Sequence, residues 1–195
     1  AADIEFKFPF GFKELEGIHS RTDFDLGAHE KYSGRKLQYF DPERNETYVP
    51  YVVETSIGLD RMFLALFSHC LKNEVLEDGS ERVVLALPPA LAPVKAAILP
   101  LVKKDGLPEL AEKIFNDLKY DFNIISEEKD SIGKRYRRQD AIGTPFCITV
   151  DHDSLADGTV TLRERDTMKQ ERVKIEDLRK IIDDKVNFRT LLSKI

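Results

Sequence analysis

The sequence predicts an α/β protein built in two parts. Three observations point there. From Arg82 onward, strand-like and helix-like stretches alternate, as in layered α/β domains with a largely parallel sheet. The run from Ile57 to Leu71 is apolar on almost every side, the pattern of a buried helix. Between them Asn73 to Glu81 is polar and carries Asp78-Gly79, which reads as a linker. The expected division is 1–76 followed by 82–195.

The elements follow in order. Phe6 to Phe12 is aromatic and punctuated by Pro9 and Gly11, and Glu14 to Ser20 suits a short strand. Arg21 to Ala28 suits a turn or a helix start, and Asp41 to Asn45 a hairpin loop. Tyr48 to Glu54 is β-branched and aromatic, hence a strand with Pro50 at an edge or bulge. Beyond the linker, Arg82 to Leu87 reads as a buried strand ended by Pro88-Pro89. Ala92 to Lys104 reads as a helix that Pro100 should kink. Pro108 sits near the start of the next helix, which runs to about Leu118. Phe122 to Ile125 is a strand. Ser131 caps a helix that ends near Gly143. Phe146 to Val150 and Thr159 to Leu162 are strands, and Ile175 to Val186 is a closing helix.

Composition excludes several classes. With 42% hydrophobic and 33% charged residues, the chain resembles neither a disordered segment nor a disulfide scaffold. Cys70 and Cys147 lie in apolar runs, as buried reduced thiols do, which fits a reducing cytoplasm. No apolar run is long enough for a membrane span, and Ala1 to Pro9 reads as the interior of a longer chain. His19, His29, His69 and His152 have no partner at metal-ligand spacing, so no metal site is expected. Charge is uneven. Residues 1–130 carry 16 Lys and Arg against 24 Asp and Glu, a net −8, and residues 131–195 carry 14 against 11, a net +3. A polyanion is better tolerated by the last third.

The most informative stretch is Glu54-Thr55-Ser56-Ile57-Gly58-Leu59-Asp60-Arg61. It places a carboxylate and a hydroxyl at the end of a strand, then a glycine that permits close approach. An arginine follows in the first turn of an apolar helix, where a cation opposes the helix dipole. Two readings stay open. Arg61 is a rim residue paired with Glu54 or Asp60, or it belongs to an anion site for phosphates and also stacks on a base.

The run Glu54-x-Ser56-x-Gly58-x-Asp60-Arg61, followed by Met62-Phe63-Leu64-Ala65-Leu66, resembles motif 3 of class II aminoacyl-tRNA synthetases, in its glycyl form. A second block agrees: Phe8-Pro9-Phe10-Gly11-Phe12-Lys13-Glu14-Leu15-Glu16-Gly17-Ile18, then Arg21-Thr22-Asp23-Phe24-Asp25-Leu26, resembles the segment before motif 3 in the homodimeric glycyl enzymes. Two ordered blocks are more specific than one. The family often has Trp where Phe12 or Glu16 stands here. The resemblance implies that residues 1–76 are the end of an antiparallel-sheet catalytic domain of α+β type. Glu54, Ser56 and Gly58 would then bind glycine, the carboxylate pairing with its ammonium. Glu14, Leu15, Gly58, Leu59, Asp60 and Arg61 would line the ATP site. For Glu14 an ordinary edge-strand surface charge is an equal alternative. Arg21, Asp23 and Asp25 are expected to fix a turn as a carboxylate–guanidinium network.

Residues 82–195 resemble the anticodon-binding domain shared by the class II enzymes for glycine, threonine, proline and histidine, an α/β three-layer domain with a mixed, mainly parallel sheet. The matching features are Val83 to Pro88, Ile132-Gly133-Lys134-Arg135-Tyr136, Asp140 to Pro145 and Thr159 to Asp166. Arg163, Arg165, Asp166, Thr167 and Gln170 are the candidates for anticodon base edges. Lys134, Arg135, Arg137 and Arg138 are weaker candidates, with a solvated helix face as the alternative.

The implied function is that of a glycine–tRNA ligase. That enzyme activates glycine with ATP to glycyl-adenylate and transfers it to tRNA(Gly), with Mg2+, as a cytoplasmic homodimer without a membrane. No residue is expected to act as a nucleophile or general base, because activation is positioning plus charge stabilisation. The family's motif 1 and the motif 2 arginine are absent from these residues, so this stretch is not expected to aminoacylate by itself. The competing readings are a non-catalytic synthetase-like RNA-binding protein and a class II ligase for proline, threonine or histidine.

Overall fold

The computed structural model describes residues 1–193. It divides into two compact units, Ala1–Ser68 and His69–Ile195.

The first unit is built on an antiparallel sheet. Strand β1 (Ala2–Phe8) turns through Pro9-Phe10 into the long β2 (Gly11–Thr22). Gly11 takes φ +108° at that turn, a region open to glycine at no steric cost. Helix α1 (Phe24–Ser33) follows and is closed by Gly34 in the left-handed conformation. A small hairpin of β3 (Tyr39–Asp41) and β4 (Glu46–Tyr48) comes next. Strand β5 (Val52–Ile57) then pairs antiparallel with β2, giving the order β1-β2-β5. Helix α2 (Leu59–Cys70) starts two residues after β5. The expected helix is present, but it is not buried all round. Ala65 and Cys70 are buried, whereas Leu59 is 82% and Phe63 67% exposed.

In the second unit, β6 (Leu71–Val75) and β7 (Glu81–Leu85) form an antiparallel hairpin. Most of the stretch 73–81, expected as a linker, is therefore this hairpin, with Asp78 and Gly79 at its tip. The main sheet has the order β12-β11-β10-β8-β9. It comprises β8 (Ala96–Pro100), β9 (Ile124–Ser126), β10 (Phe146–Val150), β11 (Thr159–Glu164) and β12 (Gln170–Lys174). Pairing is parallel between β8 and both β9 and β10, and antiparallel from β10 through β11 to β12, so the sheet is mixed. Four helices accompany it: α3 (Leu107–Leu118), α4 (Ile132–Ile142), α5 (His152–Asp157) and α6 (Leu178–Val186). A short α7 (Phe188–Leu192) ends the described chain.

The helix expected over 92–104 is instead the strand β8. All five of its residues are buried. A strand covered on both faces reads as a continuous apolar run, and periodicity does not separate it from a buried helix. Pro100 sits at the strand's end, opposite Val150, where a missing N–H is tolerated.

Alternation along the strands sorts the layers. Ala96, Ile98, Ile148 and Leu162 pack with Leu107, Ile114, Ile182 and their neighbours from α3 and α6. Ala97, Leu99 and Cys147 face the other way, against Ile132 and Tyr136 of α4. The result is the three-layer arrangement predicted. Both cysteines are buried and free, and burial pushes the Cys147 thiol up to about 12. Among the described residues no helix is long and apolar enough to cross a membrane.

Candidate functional site

Two constellations merit construction from their residues. The first lies along β2. Its neighbour β5 runs antiparallel, so Glu54 stands opposite His19, and Ser56 opposite Gly17. Two residues apart on one strand, Glu54 and Ser56 point to the same face. The Glu54 carboxylate lies 3.4 Å from Arg21 Nε. Arg21 also grips Asp25 with two donors, at 2.8 and 3.0 Å; of the expected turn-fixing network this pair is present, while the Asp23 side chain makes no cap hydrogen bond. The hydrogen bonds from Arg21 hold the Asp25 carboxyl below the usual carboxylate range.

Arg61 closes the other end. Its Nη1 donates to the Glu14 carbonyl oxygen at 2.5 Å. Its methylenes pass 3.6 to 3.8 Å from the place a Cβ on Gly58 would occupy. That is ordinary contact, so Gly58 is not sterically required within this unit. At Gly17 a Cβ would come within 2.6 Å of His19 Nε2 and 3.4 Å of Ser56 Oγ, so a side chain there would push the half-buried His19 ring aside. Gly17 and His19 were missed in the sequence, because only the β2–β5 register brings them beside Ser56. Leu15 falls at the β2 bulge, without a partner in the β1 register. Ser56, Gly58, Leu59, Asp60 and Arg61 are all exposed, as is Glu14, and Glu54 is half-buried. Carboxylate, hydroxyl and guanidinium therefore border one strand, open to solvent and not plugged into packed interior.

The second constellation surrounds the turn between β11 and β12. Here the predicted residues separate. Arg163 and Arg165 are 3% and 2% exposed. Arg163 binds Asp140 through two bonds, at 2.8 and 2.9 Å, and lies 4.7 Å from the Tyr136 ring centroid. Burial works against its charge, but Asp140 outweighs burial and raises its pKa. Arg165 donates to the carbonyl oxygens of Gly143 and Leu87, at 2.8 and 2.7 Å, and to the Asp166 carboxylate. Neither guanidinium is presented to solvent, so neither is placed to read a base edge in this conformation. Asp166, Thr167 and Gln170 are exposed.

Two clefts flank that turn. One of about 250 Å³ is bordered by Pro89, Glu164, Asp166, Thr167 and Lys185. The other, about 380 Å³, is bordered by Lys134, Tyr136, Arg137, Met168 and Gln170. Among the α4 cations, Arg135 is buried on the carbonyl oxygens of Pro100, Leu101 and Glu127. Arg138 pairs with Glu127 and Asp130. Lys134 is exposed, and Arg137 makes long contacts, 3.5 Å to Asp140 and 3.8 Å to the Met168 sulfur.

Residues 95–185 match the family model described as "Anticodon binding domain". A glycine–tRNA ligase from Chlorobaculum tepidum is 58% identical over 173 residues, 89% of this chain and 37% of that protein. The chain is a homologue of the glycine–tRNA ligases. Further glycine–tRNA ligases agree: 54% identity to that of Borrelia hermsii over 91% of the chain, and 54% to that of Clostridium perfringens over 96%. The chain spans about two fifths of the length of each of these ligases.

Solved structures share the fold. The RNA binding domain of threonyl-tRNA synthetase from Cryptosporidium parvum superposes with a TM-score of 0.69 at 21% identity, covering 94% of this chain and 42% of that one. A Giardia lamblia prolyl-tRNA synthetase in complex with prolyl-adenylate gives 0.63 at 20%, covering 98% and 40%.

Proposed function

We propose that the chain forms part of a glycine–tRNA ligase. Residues 1–68 would complete its catalytic domain, and the chain from residue 69 on would form its anticodon-binding domain, because β6 pairs with β7 and so belongs with the second unit. The observation that carries this reading is that Glu54 and Ser56 stand beside β2 while Arg61 bonds the backbone of the same strand at Glu14.

Glu54 takes the ammonium of glycine, exchanging its Arg21 contact for a closer charged donor. Ser56 adds a hydrogen bond, and Gly17 leaves open the space beside it. Glu14, Leu15 and Gly58 to Arg61 border ATP, with Arg61 against its phosphates or adenine. The carboxylate of glycine attacks the α-phosphorus and pyrophosphate leaves, giving glycyl-adenylate. A hydroxyl of the tRNA end then takes the glycyl group, its proton passing to a phosphate oxygen of the departing AMP. These residues position the reactants and balance charge, and no side chain needs to accept a proton as a base. Mg2+ supplies charge neutralisation on the phosphates. Among the described residues no three His, Cys, Asp or Glu side chains group as metal ligands, so none is assigned to it.

In the second unit, Asp166, Thr167 and Gln170 meet the anticodon, and Lys134 and Arg137 meet its backbone. Arg163 and Arg165 hold the turn. A homodimer in the cytoplasm fits the same reading. The test is charging by the full-length protein. Glycine incorporation into tRNA(Gly) is expected, and charging with proline, threonine or histidine instead would refute the substrate assignment.

A further inference from the structure

Arg82 has no role in the scheme above, yet it is among the most completely used side chains of the second unit. Its side chain is 1% exposed. Across the hairpin, Nε donates to Glu74 at 2.8 Å. Nη1 donates to Asp140 at 3.1 Å and to the Arg165 carbonyl oxygen at 2.8 Å, and Nη2 reaches the Asp166 carbonyl oxygen at 3.4 Å. Arg165 returns the grip, since its own Nη2 donates to the Leu87 carbonyl oxygen just beyond β7. Two arginines thus cross between β7 and the β11–β12 turn, each holding the other segment's backbone.

That turn needs holding. Met168 sits at φ +55°, a region that non-glycine residues occupy only when their surroundings enforce it. Asp166 accepts from Arg165, and Thr167 Oγ1 donates to Glu164 and accepts from the Lys169 N–H, but these bonds stay within the turn and its flanking strand ends and do not tie it to β7. Pinning the carbonyls of residues 165 and 166 fixes the peptide planes from which the Asp166 and Thr167 side chains project. A planar guanidinium reaches several acceptors at once, which an ammonium does not.

We infer that Arg82 is a positioning residue for tRNA recognition, setting the β11–β12 turn in the geometry that meets the anticodon. The inference rests on the function proposed above. It is tested by charging kinetics of the full-length enzyme, with Arg82→Lys and Glu74→Gln as the variants. Arg82→Lys keeps the charge beside Glu74 and Asp140 but loses the paired carbonyl contacts. It should raise KM for tRNA by about tenfold, as loss of charge-assisted hydrogen bonds does. Turnover and glycine-dependent ATP–pyrophosphate exchange should stay within about twofold, because the change is confined to tRNA binding. Glu74→Gln weakens the hairpin side of Arg82 and should leave KM for tRNA unchanged. An unchanged KM in Arg82→Lys, or an equal rise in Glu74→Gln, overturns the inference while leaving the ligase reading intact. A wild-type enzyme that does not charge tRNA(Gly) removes both. If Arg82→Lys does not fold, Arg82→Gln is followed by hydrogen exchange. Faster exchange confined to amides 165–169 supports the inference, and equal acceleration throughout β7 and β10 contradicts it.

Discussion

Arg163 and Asp140 form a buried two-pronged ion pair, with Nη1–Oδ1 at 2.8 Å and Nη2–Oδ2 at 2.9 Å. The same Asp140 accepts from Arg82 at 3.1 Å and is itself fully buried. One carboxylate therefore answers three arginines, from β7, β11 and, at a longer 3.5 Å, α4. Removing one partner of such a group leaves uncompensated charge in the interior. Asp140→Ala should cost about 3–5 kcal/mol of the second unit's stability. Chemical denaturation followed by far-ultraviolet circular dichroism measures it, and a loss below about 1 kcal/mol, as for an exposed pair, would show the network to be dispensable.

Arg163 and Arg165 should behave differently from their exposed neighbours. Alanine at either should lower the melting temperature of the second unit as well as weaken tRNA binding. Alanine at Thr167 or Gln170 should weaken tRNA binding with little change in melting, since surface changes away from buried networks stay within about 0.5 kcal/mol. Parallel melting and filter-binding measurements separate the two classes.

Glu54→Gln removes the charge offered to the ammonium of glycine. In the full-length enzyme KM for glycine should rise about 10- to 100-fold, the range for a hydrogen bond to a charged group. Pyrophosphate exchange as a function of glycine concentration reads this directly. Arg61→Ala should lower the same exchange by about 100-fold or more at saturating glycine, the scale of one charge-stabilising donor. Unchanged exchange in Arg61→Ala would remove that side chain from the site.

Asp151 gives a pH-dependent prediction. It caps α5 by accepting from the backbone N–H and hydroxyl of Ser154, and it pairs with Arg172. Burial pushes its carboxyl up, but the Arg172 and Ser154 hydrogen bonds outweigh burial and hold it below the usual range. A lowered folded-state pKa stabilises the fold above the unfolded carboxyl's titration near about pH 4. That contribution is lost as pH falls through the folded-state value. Asp151→Asn should therefore flatten part of the acid limb of stability against pH, and Asp151→Ala should cost about 1 kcal/mol at neutral pH as a lost cap.

Much of this was legible in the sequence, and the failures have physical causes. Caps read well because they are local: Gly143, expected at the end of its helix, closes α4 as a left-handed residue. Strand β8 was read as a helix because Ala96 to Pro100 is apolar on both faces and offers no period. The spacing marks β7 as a buried strand but gives β6 and the hairpin tip as a linker, because β6 is mostly polar and exposed and offers no burial pattern. Glu54, Ser56 and Arg61 were legible as a spacing along one segment. Gly17 and His19 were not, since they meet Ser56 only through the pairing of β2 with β5. Arg163 is a base-edge candidate in the sequence because a strand shows alternation but not which face is covered. Its register opposite Cys147 places it on the face that α4 covers, and nothing in Thr159 to Asp166 announces that.

The most direct measurement is a crystal structure of the full-length protein with a non-hydrolysable glycyl-adenylate analogue. The account predicts the glycyl ammonium within hydrogen-bonding distance of the Glu54 carboxylate, Ser56 beside it, and the Arg61 guanidinium against the phosphate or the adenine. An analogue bound elsewhere, with Glu54 still held on Arg21 and Arg61 still on the Glu14 carbonyl, would contradict it.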